Sequence, residues 1–301
     1  MNSQIFQFTF SSILTFLLLG LLLPQLRKKL LDVPNQRSSH IVATPRGGGI
    51  TFVIIGTLLN YIFTTGVIRW IPIICLPLSI TGTVDDYKGL PASRRYIVQA
   101  FTATILILIS NIEMPFWQIP LYIFLVTSMI NFMNFMDGLD GIVAGCSVIL
   151  FIASSNWSLS GAIFGFLLWN WSPAKVFMGD TGSTYIGAVF AGLAFQSSST
   201  QNMLSLIFVG FPLFADALTC VIRRLFHGDN IFKAHKQHLY QRLNQAGWTH
   251  SQVATLYVCS VFALVFARAY WSLNILTMIV ILEILVGVFL DQAVATRFDR
   301  P

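Results

Sequence analysis

A chain of 301 residues that is 55% hydrophobic and only 10% charged, with a mean hydropathy of +0.72, is not an ordinary soluble domain, since such domains carry about 25% charged residues. Its net charge of +6 would suit nucleic acid, but the basic residues fall in alternate loops between apolar runs, which is the pattern of a membrane protein. Composition therefore predicts an all-α polytopic membrane protein, one domain over residues 1–301, with no nucleic-acid partner.

A bilayer core takes about 20 apolar residues per helix, and about eleven stretches qualify as spans: 5–25, 50–68, 69–85, 96–112, 119–136, 141–156, 159–172, 183–197, 202–221, 251–268 and 271–291. The first is read as a retained helix and not a signal peptide, because no basic segment precedes it and Arg27-Lys28-Lys29 follows it directly. With the N-terminus outside, sixteen of the eighteen Lys and Arg residues fall on one side, Arg37, Lys233 and Arg300 among them, and only Arg69 and Arg268 on the other. That bias places the basic loops and the C-terminus in the cytoplasm. Ten of the twelve acidic residues lie at or near the same side, Glu113 and Glu283 being the exceptions. The four cysteines have no C-x-x-C spacing and read as small buried hydrophobes.

The first inner loop carries Thr44-Pro45-Arg46-Gly47-Gly48-Gly49, a basic Gly-rich segment suited to an anion. Asp85-Asp86 then ends the third stretch, with Lys88, Gly89 and Pro91 behind it. Carboxylates at a membrane edge are costly, so they are rarely there without a task, and an adjacent pair suits Mg²⁺, which shares oxygen ligands with phosphates. A solvated helix end pairing with Lys88 or Arg94 is the plainer alternative.

Asn131, Asn134, Asp137 and Asp140 recur every three residues, and Gly138 and Gly141 should end the helix so that the last carboxylate turns back. Their amides and carboxylates match the polar edge of a base or sugar. A calcium loop is excluded by register, since the D-x-[DN]-x-[DN]-G run is missing. Next comes Gly179-Asp180-Thr181-Gly182-Ser183, where close backbone approach and a helix N-terminus would serve a phosphate, and Asp180 would serve a metal. A simple Asp cap has the same appearance. Asp216 reads as structural, a partner for Arg223.

His235-Lys236-Gln237-His238, with Arg242, forms the last basic cluster. Two histidines three apart would share a helix face, but no third ligand stands at zinc spacing. Phosphate contact is the better functional reading, and a solvated basic loop its rival. The polar chemistry is one-sided and shows no repeat, which argues against the alternative of a polytopic transporter of an anionic solute.

Together these segments resemble the polyprenyl-phosphate N-acetylhexosamine-1-phosphate transferases, glycosyltransferase family 4. The resemblance rests on N-x-x-N-F-x-D-G-x-D-G (Asn131 to Gly141), F-M-G-D-x-G-S (Phe177 to Ser183), Asp85-Asp86 and H-x-x-H-L-Y-Q-R-L (His235 to Leu243). The last run resembles the branch that starts O-antigen or related polysaccharides. The resemblance implies transfer of a sugar-1-phosphate from a UDP-N-acetylhexosamine to undecaprenyl phosphate at the cytoplasmic face of the bacterial inner membrane, with Mg²⁺ or Mn²⁺ as cofactor and a homodimer as one form. It implies catalytic roles for Asp85, Asp86, Asp180, His235 and His238, metal binding by Asp180 and Asp86, and substrate contacts from Asn131, Asn134, Asp137, Asp140, Arg46, Lys88 and Arg242. A phosphate monoester is mostly dianionic at neutral pH, its second pKa being about 6. Asp85 and Asp86 are therefore expected to position metal and nucleophile and not to act as a base.

Overall fold

The computed structural model describes residues 2–34, 39–40, 42–230 and 235–298; the basic residues Arg37, Lys233 and Arg300 lie outside them. Among the described residues fourteen α-helical segments run in the order α1 (Asn2–Lys29), α2 (Gly49–Phe63), α3 (Ile71–Ile74), α4 (Leu76–Lys88), α5 (Ala92–Leu108), α6 (Ile119–Met136), α7 (Ile142–Ala153), α8 (Trp157–Asn170), α9 (Asp180–Phe195), α10 (Thr200–Val209), α11 (Phe211–Phe226), α12 (Leu239–Gln245), α13 (His250–Tyr270) and α14 (Leu273–Ala293). Two short strands, β1 (Leu31–Asp32) and β2 (Thr44–Pro45), pair antiparallel with Leu31 opposite Pro45.

The protein is an all-α integral membrane protein, and the expectation of eleven spans is not confirmed. Among the described residues five helical segments are long and apolar enough to cross a bilayer: Asn2–Lys29, Val67–Lys88, Phe116–Met136, His250–Tyr270 and Leu273–Ala293. A sixth is reached if α10 and α11, bent by 78° at Gly210, count as one. Pro212 sits in the first turn of α11, where it cannot donate back to α10. The other stretches do form helices, of 12–17 residues. At 1.5 Å per residue these fall short of a hydrocarbon core of about 30 Å.

Burial explains why they read as spans. Every residue of α9 from Thr181 to Phe195 is buried, so protein encloses α9 on all sides. It packs against α2, α4, α5, α6, α7 and α10. Its small residues allow this: a side chain at Gly187 would strike the α6 backbone at Ile130 and Met129. By contrast α14 leaves Met278, Leu282, Leu285 and Phe289 more than half exposed, a face suited to lipid.

The C-terminal ends of α4 and α6 and the N-terminal ends of α7, α9, α12 and α13 meet at one end of this bundle. Arg69 and Arg268 lie elsewhere, donating to the carbonyls of Thr64 and Ala153 at the C-terminal ends of α2 and α7.

Candidate active site

Asp86 and Asp180 build the centre of that end. Asp86 is 5% exposed on α4, and its Oδ1 accepts the Asp180 amide at 3.2 Å. Its Oδ2 accepts the amide and hydroxyl of Thr181 at 3.3 and 2.9 Å. A helix N-terminus leaves its first N–H groups without intrahelical partners, and Asp86 supplies them from another helix. The expected phosphate seat at this terminus is thereby corrected: a carboxylate holds it. Asp86 likewise has both oxygens engaged, which makes it a support for Asp180 more than a free metal ligand. Arg46, just after β2, donates to the Asp86 carbonyl and stands 4.0 Å from its carboxylate.

Asp180 opens α9. Its Oδ1 accepts from Asn134 Nδ2 at 2.8 Å, and its Oδ2 faces Arg95 Nη1 at 3.2 Å. The same Arg95 nitrogen is 2.9 Å from Asp85 Oδ2, while Asp85 Oδ1 accepts the Leu90 amide. Arg95 thus ties the end of α4 to the start of α9, a link absent from the motifs; its only sequence signal was a basic residue ten positions after Asp85. Burial, with Asp86 close by, pushes the Asp180 carboxyl up to about 6.

α6 ends at Met136, where Gly138 and Gly141 predict it, and Gly141 takes a φ of 76°. Asp137 follows the last helical turn. Its carboxylate has no hydrogen-bond donor or basic partner among the described residues; burial, then the charges of Asp180, Asp86 and Asp140, hold it well above the usual carboxylate range. Asp140 turns back as expected, accepting the Ala174 amide at 3.1 Å and His250 Nδ1 at 3.2 Å. Burial alone would raise its pKa, but the hydrogen bond and charge of His250 bring it below the ordinary value. His250, at the start of α13, was missed because nothing near it in sequence suggests chemistry. Asn131 sits one turn back and pairs its amide reciprocally with Gln99 at 2.8 and 3.3 Å.

Two cavities, of about 270 and 240 Å³, meet at this centre and share Asn134, Asp180 and Gln241 as walls. The first is walled by α4, α5 and α11 with Leu78, Tyr96, Phe135 and Val221, and by Arg95, Arg224, His235 and His238. The second is more polar, with Arg46, Asp86, Asp137, Asp140, Asn170, Phe177 and His250.

The histidine run is held by Asp216, which accepts the amides of Leu239 and Tyr240 at 2.8 and 3.0 Å and the Tyr257 hydroxyl at 2.6 Å. Its expected partner Arg223 pairs instead with Asp291, at 2.8 and 2.7 Å. His235 and His238 precede α12 and do not share a helix face; their rings stack at 5.0 Å. Burial, with His238 and Arg224 nearby, lowers His235 to about 3. Three expected residues line neither cavity: Asp85, which is paired with Arg95, and Lys88 and Arg242. Lys88 is exposed at the end of α4, and Arg242 is buried, donating to the carbonyls of Gln237 and Thr296 and pairing with Asp291. Arg242 ties α12 to the end of α14 and lines neither cavity.

Residues 68–198 match the model of glycosyl transferase family 4. The chain is similar to that family over this central stretch. The matched stretch contains Asp85-Asp86, the Asn131–Gly141 turn and the Phe177–Ser183 segment, while the histidine run lies beyond it. The chain is 28% identical over 277 residues to a probable undecaprenyl-phosphate N-acetylglucosaminyl 1-phosphate transferase of Bacillus subtilis, covering 79% of this chain and 77% of that protein. It is 29% identical over 299 residues to a phospho-N-acetylmuramoyl-pentapeptide-transferase of Staphylococcus saprophyticus, covering 81% and 92%. A namesake from Staphylococcus carnosus is 28% identical with the same coverage. Relatives of both kinds stand at nearly equal identity, so identity does not choose between their sugars.

Proposed function

We propose that the protein transfers a sugar-1-phosphate from a UDP-N-acetylhexosamine to undecaprenyl phosphate, on the cytoplasmic face of the plasma membrane. The observation that carries this reading is the pair of cavities meeting at Asp180. One has apolar walls and basic side chains, which suit a phosphate on a lipid tail; the other has an aromatic ring, amides and carboxylates, which suit a nucleotide. Phosphoryl transfer needs positioning and charge neutralisation more than covalent help.

An oxygen of the lipid phosphate attacks the phosphorus bonded to the sugar. A new P–O bond forms, the bond from that phosphorus to the bridging oxygen breaks, and UMP leaves with the electron pair. His235, His238 and Arg224, on the first cavity's wall, hold the attacking phosphate as hydrogen-bond donors or charge partners. Phe177, Asn170 and Asp140 receive the uridine, and Arg46 faces the diphosphate. Asn134 orients Asp180 between the two cavities.

The donor set fits Mg²⁺. Asp137 and Asp180 bring carboxylates that lack full counter-charge, which is what a hard, oxygen-preferring ion balances. Those two residues would hold it, and when bound it supplies neutralisation of the diphosphate. Asp86 and Asp85 position Asp180 and Arg95. The H-x-x-H-L-Y-Q-R-L run, with no consecutive histidines, supports a product that starts O-antigen or a related cell-envelope polysaccharide.

Donor labelled with ³²P on the sugar-bearing phosphate tests the route of the phosphorus. Label in a lipid diphosphate supports the reading. Label retained in released UDP, with sugar alone on the lipid, contradicts it.

A further inference from the structure

Cys220, His235 and His238 bring one ligand atom each to within 4.8 Å of one another. The sequence hides this cluster, because Cys220 lies on α11 and the two histidines precede α12. Cys220 stands one turn after Asp216, and residues four apart share a helix face, so the carboxylate that holds the histidine run and the thiol point the same way. Cys220 and His238 are each 3% exposed. His238 Nδ1 faces Asp216 Oδ1 at 3.6 Å and makes no shorter hydrogen bond among the described residues.

We propose that Cys220, His235 and His238 form a thiolate–imidazole site for a borderline-soft divalent ion of the Zn²⁺ class, separate from the carboxylate site at Asp180. The ligand chemistry decides the class. Sulfur and imidazole select Zn²⁺, Co²⁺ or Cu over Mg²⁺, which prefers oxygen. Ligand bonds of about 2.3 Å to sulfur and about 2.1 Å to nitrogen put tetrahedral ligand atoms about 3.5 Å apart, so the cluster contracts by about 1 Å on binding. The contraction is open to His235, whose Nδ1 accepts a long 3.3 Å bond from the Gln237 amide among the described residues; coordination at either ring nitrogen replaces it. Asp216 beside His238 supplies the carboxylate that commonly backs a metal-bound imidazole. The charge of Arg224, on the wall of the same cavity, opposes a cation; the carboxylate of Asp216, beside His238, acts against it, as would a thiolate formed when Cys220 gives up its proton to the metal.

Occupation has a consequence that rests on the transferase reading. Both histidines line the first cavity, and a metal that gathers them against Cys220 removes them from the acceptor phosphate. Zn²⁺ therefore inhibits transfer at saturating Mg²⁺.

The probe is Co²⁺, titrated into the purified full chain in detergent without substrate. One equivalent should produce a sulfur-to-cobalt charge-transfer band in the near ultraviolet, displaced by Zn²⁺. The band should be lost in Cys220→Ser and kept in Cys259→Ser, which controls for the exposed thiol. Cys220→Ser should retain Mg²⁺-dependent transfer, showing an intact fold, and lose Zn²⁺ inhibition; His235→Gln is a second variant expected to weaken cobalt binding at least about tenfold. Absence of the band from folded wild-type protein, or its persistence in Cys220→Ser, overturns the site. The cobalt spectrum needs no turnover, so it tests the site independently of the transferase reading. Equal Zn²⁺ inhibition of wild type and Cys220→Ser overturns the inhibitory role.

Discussion

Asp86 accepts both the amide and the hydroxyl of Thr181, at 3.3 and 2.9 Å, so the second residue of one helix is held by a carboxylate from another. This pairing joins α4 to α9 and sets where Asp180 points. It gives Asp86 a task that needs no proton transfer. Asp86→Asn keeps a shape that fills the space but loses one acceptor, and the rate should fall roughly 10–100-fold, as for a residue that orients a ligand from behind. The loss should be the same at every pH. Recovery of Asp86→Asn at alkaline pH, in a kcat profile, would point back to a base.

Gly82 stands one turn before Asp86 and lies against the Asp180–Thr181 backbone, where an added Cβ has no room. Gly82→Ala should force α4 and α9 apart. Overpacking of this kind costs about 1–3 kcal/mol, read as a lowered thermal midpoint, and it should lower activity more than a substitution at exposed Lys88. Wild-type stability and rate in Gly82→Ala would mean the two helices are not held as described.

Asp180, with its carboxyl raised from 3.8 to about 6, binds a proton in the folded state that the unfolded chain has already released between those values. Its deprotonation therefore destabilises the metal-free protein as pH rises through that window. Mg²⁺ and the proton compete for the same group. The Mg²⁺ concentration for half-maximal rate should be nearly constant above about pH 7 and rise roughly tenfold by about pH 5, the behaviour of one competing proton. Thermal stabilisation by Mg²⁺ should shrink over the same range and vanish in Asp180→Ala. A half-maximal Mg²⁺ concentration that is flat from pH 5 to 7 would contradict this.

His250 reaches Asp140 from α13 at 3.2 Å, and its other ring nitrogen lies 3.3 Å from the Ser39 carbonyl. Removing one partner of a charge-assisted hydrogen bond costs about 1.5–3 kcal/mol. His250→Ala should therefore raise KM for the UDP-sugar by roughly tenfold or more, with KM for the lipid little changed. A change confined to the lipid would reassign the second cavity.

The sequence carried the chemistry further than the architecture. Asn134, Asp137, Asp140 and Asp180 stand in short motifs whose glycines end helices, and the structure gathers all four. Arg95 and His250 could not be found, because each meets its carboxylate only after distant helix ends converge. Arg242 misled for the converse reason: a basic residue beside two histidines looks like an anion contact until Asp291, 49 positions later, folds back onto it. The number of spans was not legible in the sequence, because hydropathy does not separate a helix enclosed by protein from one enclosed by lipid. α9 is buried from Thr181 to Phe195, and its surroundings are α4, α6 and α2.

Release of UMP measures the central claim most directly. Purified protein is given undecaprenyl phosphate, Mg²⁺ and one UDP-N-acetylhexosamine at a time, with Asp180→Ala in parallel. UMP should form from at least one donor, dependent on both lipid phosphate and metal and abolished in Asp180→Ala. Folded protein that yields no UMP from any donor, or that yields it equally without the lipid, would contradict it.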